Sequence, residues 1–453
     1  INYTSNYTES TSNILVNRIV NEVRFGSNYT SRINTELNTK INDTSNYVLT
    51  TINQFANSVS SQWTSVNSGI YYTKTNSAIT STPQPLLITN ELGTIRTMVF
   101  TYTTETAGAG TGQTLYTINV PTNITCDILV VGGGGGGDQI NAGGGGGGAV
   151  LYATNVSIPS NTYTIRVGKG GVQNVKGSSS EAFGSICLGG GSTSYVAWNT
   201  PNNGTVGGSG SGGSPGSWAT TTTGVGGGVG VSTKGTLLAS GTLYNGNIGG
   251  NGLPQTQATG TVCGGGGGGA GSVGLNSSQT QYTTRSSWVT AGKPSSGGDG
   301  IQINITGTNY YWGAGGGGGG TSTHAGDGGL GGGGGGGMNG SPIIAGLAGT
   351  GGINNGGNGN ISGPFVSDGG NGAPNSGSGG GGGGDGGSGG TGGSGIVIIR
   401  FVIPTGNVGI GTTNPVSKLH VYDDTTNNTT LTIQNNYTEP VSIFPSTGYA
   451  LTE

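Results

Sequence analysis

The chain has 453 residues, of which 105 are Gly, 30% are hydrophobic and only 7% are charged, against average usage of about 7% Gly and about 25% charged residues. Its 14 basic and 17 acidic side chains give a net charge of −3 and are scattered singly, so no cluster exists that could neutralise phosphates and nucleic-acid binding is excluded. No apolar run approaches the roughly 20 residues of a membrane span, and membrane insertion is not expected.

The glycines are concentrated: 95 of the 105 lie between residues 132 and 395. A Gly-poor N-terminal block and a short C-terminal block flank that stretch. The chain opens at Ile1 without Met or a signal-like segment, which reads as a processed product or a piece of something longer. Cys126, Cys187 and Cys263 form no close-spaced metal pattern; they read as small buried side chains.

Residues 1–80 are rich in Asn, Ser and Thr, which are poor helix formers. They nevertheless carry an apolar stripe, Ile33, Leu37, Ile41, Val48, Ile52, Phe55, Val59, Trp63, Val66 and Ile70, at a mean spacing of about 3.7 residues. That period predicts helix rather than strand, and a single helix of such weak propensity would melt. The expectation is an α-helical, coiled-coil-like oligomeric stalk over 1–80, then a linker over 81–93. Disorder is the alternative for this block.

Short strand candidates follow: Arg96–Tyr102, Leu115–Val120, Ile128–Val131, Val150–Tyr152, Tyr163–Val167, Ile301–Ile305 and Ile396–Phe401. Most are bounded by Gly, Pro, Asn or Ser. Between them stand uninterrupted runs, Gly132–Gly137, Gly143–Gly148, Gly264–Gly269, Gly315–Gly320, Gly331–Gly337 and Gly379–Gly384. Linkers mix in Ser and do not recur between β segments at one length. Collagen needs a strict Gly-X-Y period and more Pro than the 15 present. A GxGxxG match means nothing in pure Gly. The reading left is polyglycine II, in which side-chain-free helices pack side by side and bond through their backbones. The fold class expected is therefore mainly β with a polyglycine II bundle over 94–405, behind the helical stalk and ahead of a small β segment over 406–453.

The order Ile128-Leu129-Val130-Val131 into six glycines, a second run, then Tyr163-Thr164-Ile165-Arg166-Val167-Gly168-Lys169-Gly170-Gly171 and a closing Gly395-Ile396-Val397-Ile398-Ile399-Arg400-Phe401 resembles the glycine-rich domains of tail-fibre and adhesin-type structural proteins of bacteriophages and large DNA viruses. Gly406-Asn407-Val408-Gly409-Ile410-Gly411-Thr412-Thr413-Asn414-Pro415, followed by Lys418-Leu419-His420-Val421, resembles a short segment of trimeric tail-fibre and tail-spike proteins. The resemblance implies a β-sandwich base carrying packed glycine helices, with loops at one end that touch a host receptor. Similar domains occur in some animal receptor ectodomains, and an ordinary β-turn before a strand is the alternative for the C-terminal motif.

No catalytic constellation is evident. His324 and His420 have no acid, base or nucleophile pattern around them, and Asp327, Asp385 and Asp423-Asp424 do not make the carboxylate pair a glycosidase needs. No enzyme, cofactor or metal is expected. Bare glycine offers no side chains, so recognition falls to aromatics in the connecting loops: Tyr195, Trp198, Trp218, Tyr282 and Trp288 are the candidate receptor-binding residues. Tyr310, Tyr311 and Trp312 read instead as a local core. Asn2, Asn6, Asn28, Asn42 and Asn436 head Asn-X-Thr sequons and are the glycosylation candidates. The function expected is a structural virion fibre or adhesin subunit, on a virion surface or extracellular, that displays loops to a host-surface glycan or protein. Its expected partners are copies of itself, as a homotrimer or an end-to-end filament. A cellular extracellular filament or surface glycoprotein, and a glycan-cleaving tail-spike, are the alternatives.

Overall fold

The computed structural model describes residues 70–73, 79–89, 95–106, 112–193, 201–215, 223–253, 262–278, 280, 282, 284–321, 324–339, 345–360, 367–402, 407–410 and 419–421. The chain divides into two compact units, residues 1–75 with 406–453, and residues 76–405.

Strand β1 spans Ile70–Thr73. In the second unit, β2 (Thr80–Thr82), β3 (Leu86–Thr89), β4 (Ile95–Thr101), β5 (Gln113–Val120), β6 (Ile124–Val131), β7 (Val150–Ile158) and β8 (Asn161–Gly168) follow in order. Shorter strands come next, β9 (Ser180–Ala182), β10 (Ser185–Cys187), β11 (Thr242–Tyr244), β12 (Val262–Cys263), β13 (Ile301–Ile303), β14 (Tyr310–Trp312), β15 (Gly320–Thr321) and β16 (Met338–Asn339). The unit closes with β17 (Ile396–Val402).

Two sheets form its base, a six-stranded one in the order β11-β7-β6-β17-β4-β3 and a five-stranded one in the order β10-β9-β8-β5-β2. Their facing sides bury Met98, Phe100, Ile118, Ile128, Val130, Leu151, Ile165, Val397 and Ile399 as one core. The other side of the six-stranded sheet is also covered. Leu129, Val131, Val150, Ile396 and Ile398 pack there with Ile303, Ile305 and Trp312 of and beside the β13–β14 hairpin. A strand buried on both faces reads as an unbroken apolar run, which is what Ile128-Leu129-Val130-Val131 and Ile396-Val397-Ile398-Ile399 are. Trp312 is thus core, with Tyr310 and Tyr311 half-buried beside it.

The glycine runs begin where these strands end. From Gly132 to Gly137 the N–H groups donate in turn to the carbonyls of Ala149, Ser178, Gly393, Gly146, Val175 and Gly390, at 2.9–3.0 Å. The bonding direction repeats every third residue, so the run is an extended threefold rod, spanning about 19 Å at about 3.1 Å per residue. Its carbonyls at Gly133, Gly134 and Gly135 accept from Gly190, Gly171 and Gly380. Six neighbouring segments therefore surround one rod. Gly143–Gly148 is surrounded in the same way, with N–H bonds from Gly144 and Gly147 to Gly265 and Gly268, from Gly145 and Gly148 to Gly380 and Gly377, and from Gly146 to Gly191. Every buried peptide group in such an array needs a partner, and only a missing Cβ lets six backbones come close enough to supply them.

At the outside of the array a rod lacks neighbours on one side, and side chains take their place. Val225 N–H donates to Asn203 Oδ1, Gly226 to Asn251 Oδ1 and Asn251 to Asn276 Oδ1, at 2.7–3.0 Å. Around the bundle the same is done by Asp299 for Leu330, Asp327 for Leu347, Asn358 for Ala348, Asp368 for Ser388 and Asn371 for Thr391. Asn and Asp act here as caps, as they do at helix termini and turns.

The other unit contributes a three-stranded sheet among the described residues. β1 pairs antiparallel with β18 (Asn407–Ile410), which pairs parallel with β19 (Leu419–Val421). This corrects the expected fold class. The described residues are mainly β, no helix among them exceeds the six residues Arg285–Thr290, and they contain no helical stalk or coiled coil. Ile70, the last rung of the apolar stripe, sits in β1 opposite Ile410, because Ile70-Tyr71-Tyr72-Thr73 is a β-branched and aromatic run that favours a pleated partner over helix. The remaining rungs, from Ile33 to Val66, lie outside the described residues. The expected linker at 81–93 also holds structure, since β2 pairs with β5 and β3 with β4.

Candidate recognition surface at the far end of the glycine bundle

Rod direction follows from the base. Gly132–Gly137 leaves β6 and Gly143–Gly148 returns into β7, so the turn Asp138–Ala142 stands at the end away from the sheets. Hydrogen bonds place Ser214, Gly319, Gly320, Ser367 and Gly383 at the same level: Ser214 Oγ accepts from Gly143 N–H at 2.8 Å, Gly319 donates to Ala142, Gly383 to Asp138 and Gly384 to Ser367. Bridges between Thr193 and Gly204, Asn202 and Ser214, and Leu253 and Cys263 belong to this end too. These are the residues that flank segments 194–200, 216–222 and 254–261. Tyr195, Trp198 and Trp218 fall in the first two of those segments and lie outside the described residues, as do the sequon residues Asn2, Asn6, Asn28, Asn42 and Asn436.

Beneath the far-end surface is a polar layer. Asp138 has no exposed surface; its Oδ1 accepts from Gln139 N–H at 2.8 Å and its Oδ2 from the Ser214 hydroxyl at 3.4 Å. Burial pushes its pKa up to about 7, against a smaller downward pull from those two hydrogen bonds. Asn141 accepts from the Thr321 hydroxyl. His324 is fully buried, and burial lowers its pKa to about 4, so the imidazole is neutral at pH 7. Its ring meets Tyr282 edge-on at 5.1 Å.

Trp288 and Tyr282 form a small core of their own, with Trp288 at 0% exposure. An indole with no exposed surface offers no face to a receptor, so the reading of these two residues as tip aromatics is corrected. The physical reason is local. Thr284 caps the short helix through a reciprocal pair with Ser287, and the turn of helix then points Trp288 inward while Arg285 stacks over its ring at 4.9 Å. One guanidinium nitrogen of Arg285 contacts both carboxylate oxygens of Asp327 at 2.6 Å, and the other donates to Ala345 O at 3.2 Å. Lys293 Nζ stands 3.9 Å from the same carboxylate. Beside this cluster runs a groove of about 580 Å³, lined by Val273, Leu275, Lys293, Asp299, Leu330 and Leu347 among others.

Removing the guanidinium in Arg285→Ala should cost about 1–3 kcal/mol, because Asp327 is largely buried and would lose its nearest cation. Arg285→Lys should recover only part of that loss, having no planar face to lay on Trp288. Urea denaturation of the three proteins checks the order. An unchanged midpoint in Arg285→Ala would show the pair to be solvated in solution.

The three cysteines are free and buried. Burial, with the neighbouring Asp127 charge, pushes the Cys126 thiol up to about 12, and burial raises Cys187 further. Neither can supply a thiolate near neutrality. Among the described residues no group of three His, Cys, Asp or Glu side chains could hold a metal ion.

The glycine-rich domain model matches residues 108–402, about two-thirds of the sequence and the whole of the rod array. The chain belongs to the glycine-rich domain family. No curated protein matches it. In this glycine-rich domain the functionally informative residues missed by sequence reasoning are Asp138 and the Arg285–Asp327 pair. The signal for Asp138 was its place, a lone carboxylate at the end of six glycines. For the pair, separated by 42 residues, spacing carried no signal.

Proposed function

We propose that the glycine-rich domain is the display head of a structural fibre or adhesin subunit, on a virion surface or extracellular, that attaches to a host-surface glycan or protein through its far-end loops. One observation carries this reading: the inner rods bond one another through their backbones and so form a stiff scaffold, and the residues that flank segments 194–200, 216–222 and 254–261 stand together at one end of it. Binding residues concentrate on loops held by a rigid frame. The tail-fibre likeness of the strand and glycine order, and of the Gly406–Pro415 and Lys418–Val421 segment, supports a viral owner.

Tyr195, Trp198 and Trp218 are the aromatics to test. Single replacement of each by Ala in the full chain should weaken attachment to host cells at least tenfold for one or more of them, with the melting temperature unchanged. Such losses match the truncation of a hot-spot aromatic. Attachment equal to the parent's in all three variants would end the far-end reading.

A further inference from the structure

Most caps of the outer rods are followed by glycine, and the two residues act together. Asn203 Oδ1 accepts from Val225 N–H while Gly204 N–H donates to Val225 O, and Asn371 with Gly372 holds Thr391 by the same two bonds. Asp299-Gly300, Asp327-Gly328 and Asp368-Gly369 grip Leu330, Leu347 and Ser388 likewise. Asn251-Gly252 and Asn358-Gly359 also bond at both points, the side chains to Gly226 and Ala348, the glycines to Gly224 and Gly346. Each pair is a two-point clasp.

Asn-Gly is also the step at which a chain most readily attacks itself, because no Cβ shields the glycine nitrogen from the neighbouring amide carbon. A clasp prevents this by holding the glycine hydrogen on another rod until that region opens. Asn245-Gly246 is built differently. Asn245 Oδ1 accepts from Ser232 N–H at 2.9 Å, and Ser232 is buried, its hydroxyl bound by Leu188 N–H. Gly246, at φ +98°, is partly exposed, and its N–H donates to none of the described residues. The Ser209 hydroxyl lies against it, since a Cβ built on Gly246 would stand 2.2 Å from that oxygen. Ser209 is fully buried, and its hydroxyl has no hydrogen-bond partner among the described residues, an arrangement rare enough to need a cause. Of the other Asn-Gly steps, Asn355 is followed by Gly356, whose N–H is on Gly349 O; Gly340, after Asn339, lies outside the described residues.

We propose that Asn245-Gly246 is a self-modification site, where Asn245 loses ammonia and becomes aspartate or isoaspartate. Solvent hydroxide takes the Gly246 N–H proton, and the Ser209 hydroxyl donates to the nitrogen as it becomes negative. The nitrogen bonds to Asn245 Cγ and the charge passes to Oδ1, where Ser232 N–H stabilises it as an oxyanion-hole donor does. Collapse breaks the Cγ–Nδ2 bond. Ammonia leaves with a proton from water, which restores the hydroxide, and a five-membered imide remains. Water opens that ring at either carbonyl. One water is consumed and one ammonia released, and nothing is oxidised or reduced.

Incubating the folded full chain at pH 8, with mass spectrometry of its proteolytic peptides over time, tests this. Asn245 should convert about tenfold or more faster than Asn203, Asn251, Asn358 and Asn371, each of which must first open locally. In urea, where no clasp survives, the five should convert at similar rates. Ser209→Ala should melt no lower than the parent, since it removes an unpaired buried hydroxyl, and should convert Asn245 several times more slowly. Equal rates at Asn245 and the clasped positions in the folded chain would overturn the proposal. So would an Asn245 that leads by the same margin in urea, or a Ser209→Ala rate equal to the parent's.

Discussion

Gly317→Val is expected to abolish folding of the glycine bundle. A Cβ built at Gly317 would stand 2.0 Å from the carbonyl oxygen of Gly326 and 2.4 Å from its carbon. Both are backbone atoms of a rod that is itself bonded, Gly326 N–H to Gly318 and Gly336 N–H to Gly326. The neighbour cannot yield without breaking bonds on its far side, and each buried group so orphaned costs about 1–3 kcal/mol. Several such losses are comparable to the roughly 5–15 kcal/mol that holds an ordinary domain together. Gly228→Ala is the matched control. Its Cβ would meet only Val206 Cγ2, at 3.6 Å, and reducing unfolded-chain freedom at a compatible site stabilises by about 0.4–1 kcal/mol. Circular dichroism and thermal melting should show the first variant unfolded and the second at least as stable as the parent. If Gly317→Val melts with the parent, the rods do not bond as described.

The second large effect is one of pH. Asp138 is buried, and its folded pKa is raised from 3.8 to about 7. The folded chain therefore holds the proton more tightly than the unfolded one. The stability it contributes is complete below about pH 4, falls as pH rises through about 7, and is lost above that. Three units correspond to on the order of 4 kcal/mol at full burial. Asp138→Asn keeps an oxygen to accept from Gln139 and never ionises, so it should be more stable than the parent at pH 8 and close to it at pH 4. Urea titrations at both pH values read this directly. A parent whose stability is flat from pH 4 to 8, with a variant weaker at both, would mean that the carboxylate is ionised and needed as an acceptor.

Much of the base was legible in the residues. Ile128–Val131 and Ile396–Phe401 announce strands because a doubly covered strand has no polar face to disguise it, and Tyr163–Val167 does so by the apolar–polar alternation of a strand covered on one face. The long glycine runs mark the inner rods for a similar reason, since six neighbours tolerate no Cβ. The outer rods were harder to see. A stretch such as Gly224–Gly230 mixes Val into the glycine and looks like a linker, yet it bonds as a rod, because an outer position needs Gly only on its inward side. The stalk failed for a different cause: a 3.7-residue period cannot report whether its last members find a strand partner, and Ile70 finds one more than 300 residues away in sequence. Trp288 was misplaced because an aromatic in a loop-like context carries no sign of which way a single capped turn of helix will point it.

The side-chain caps have a consequence for size. An array whose every rod can bond six others is a pattern that repeats in two directions, and nothing within it specifies where to stop. Left bare, its flank would recruit any extended glycine segment, as an open sheet edge recruits strands. The Asn and Asp caps act as terminators, each occupying the bond that the next rod would have used. They make the bundle a finite object cut from a potentially endless material. Growth inhibition at a crystal face works by the same means, and in this protein the inhibitor is written into the chain at Asn203, Asn251, Asn276, Asp299, Asp327, Asn358, Asp368 and Asn371.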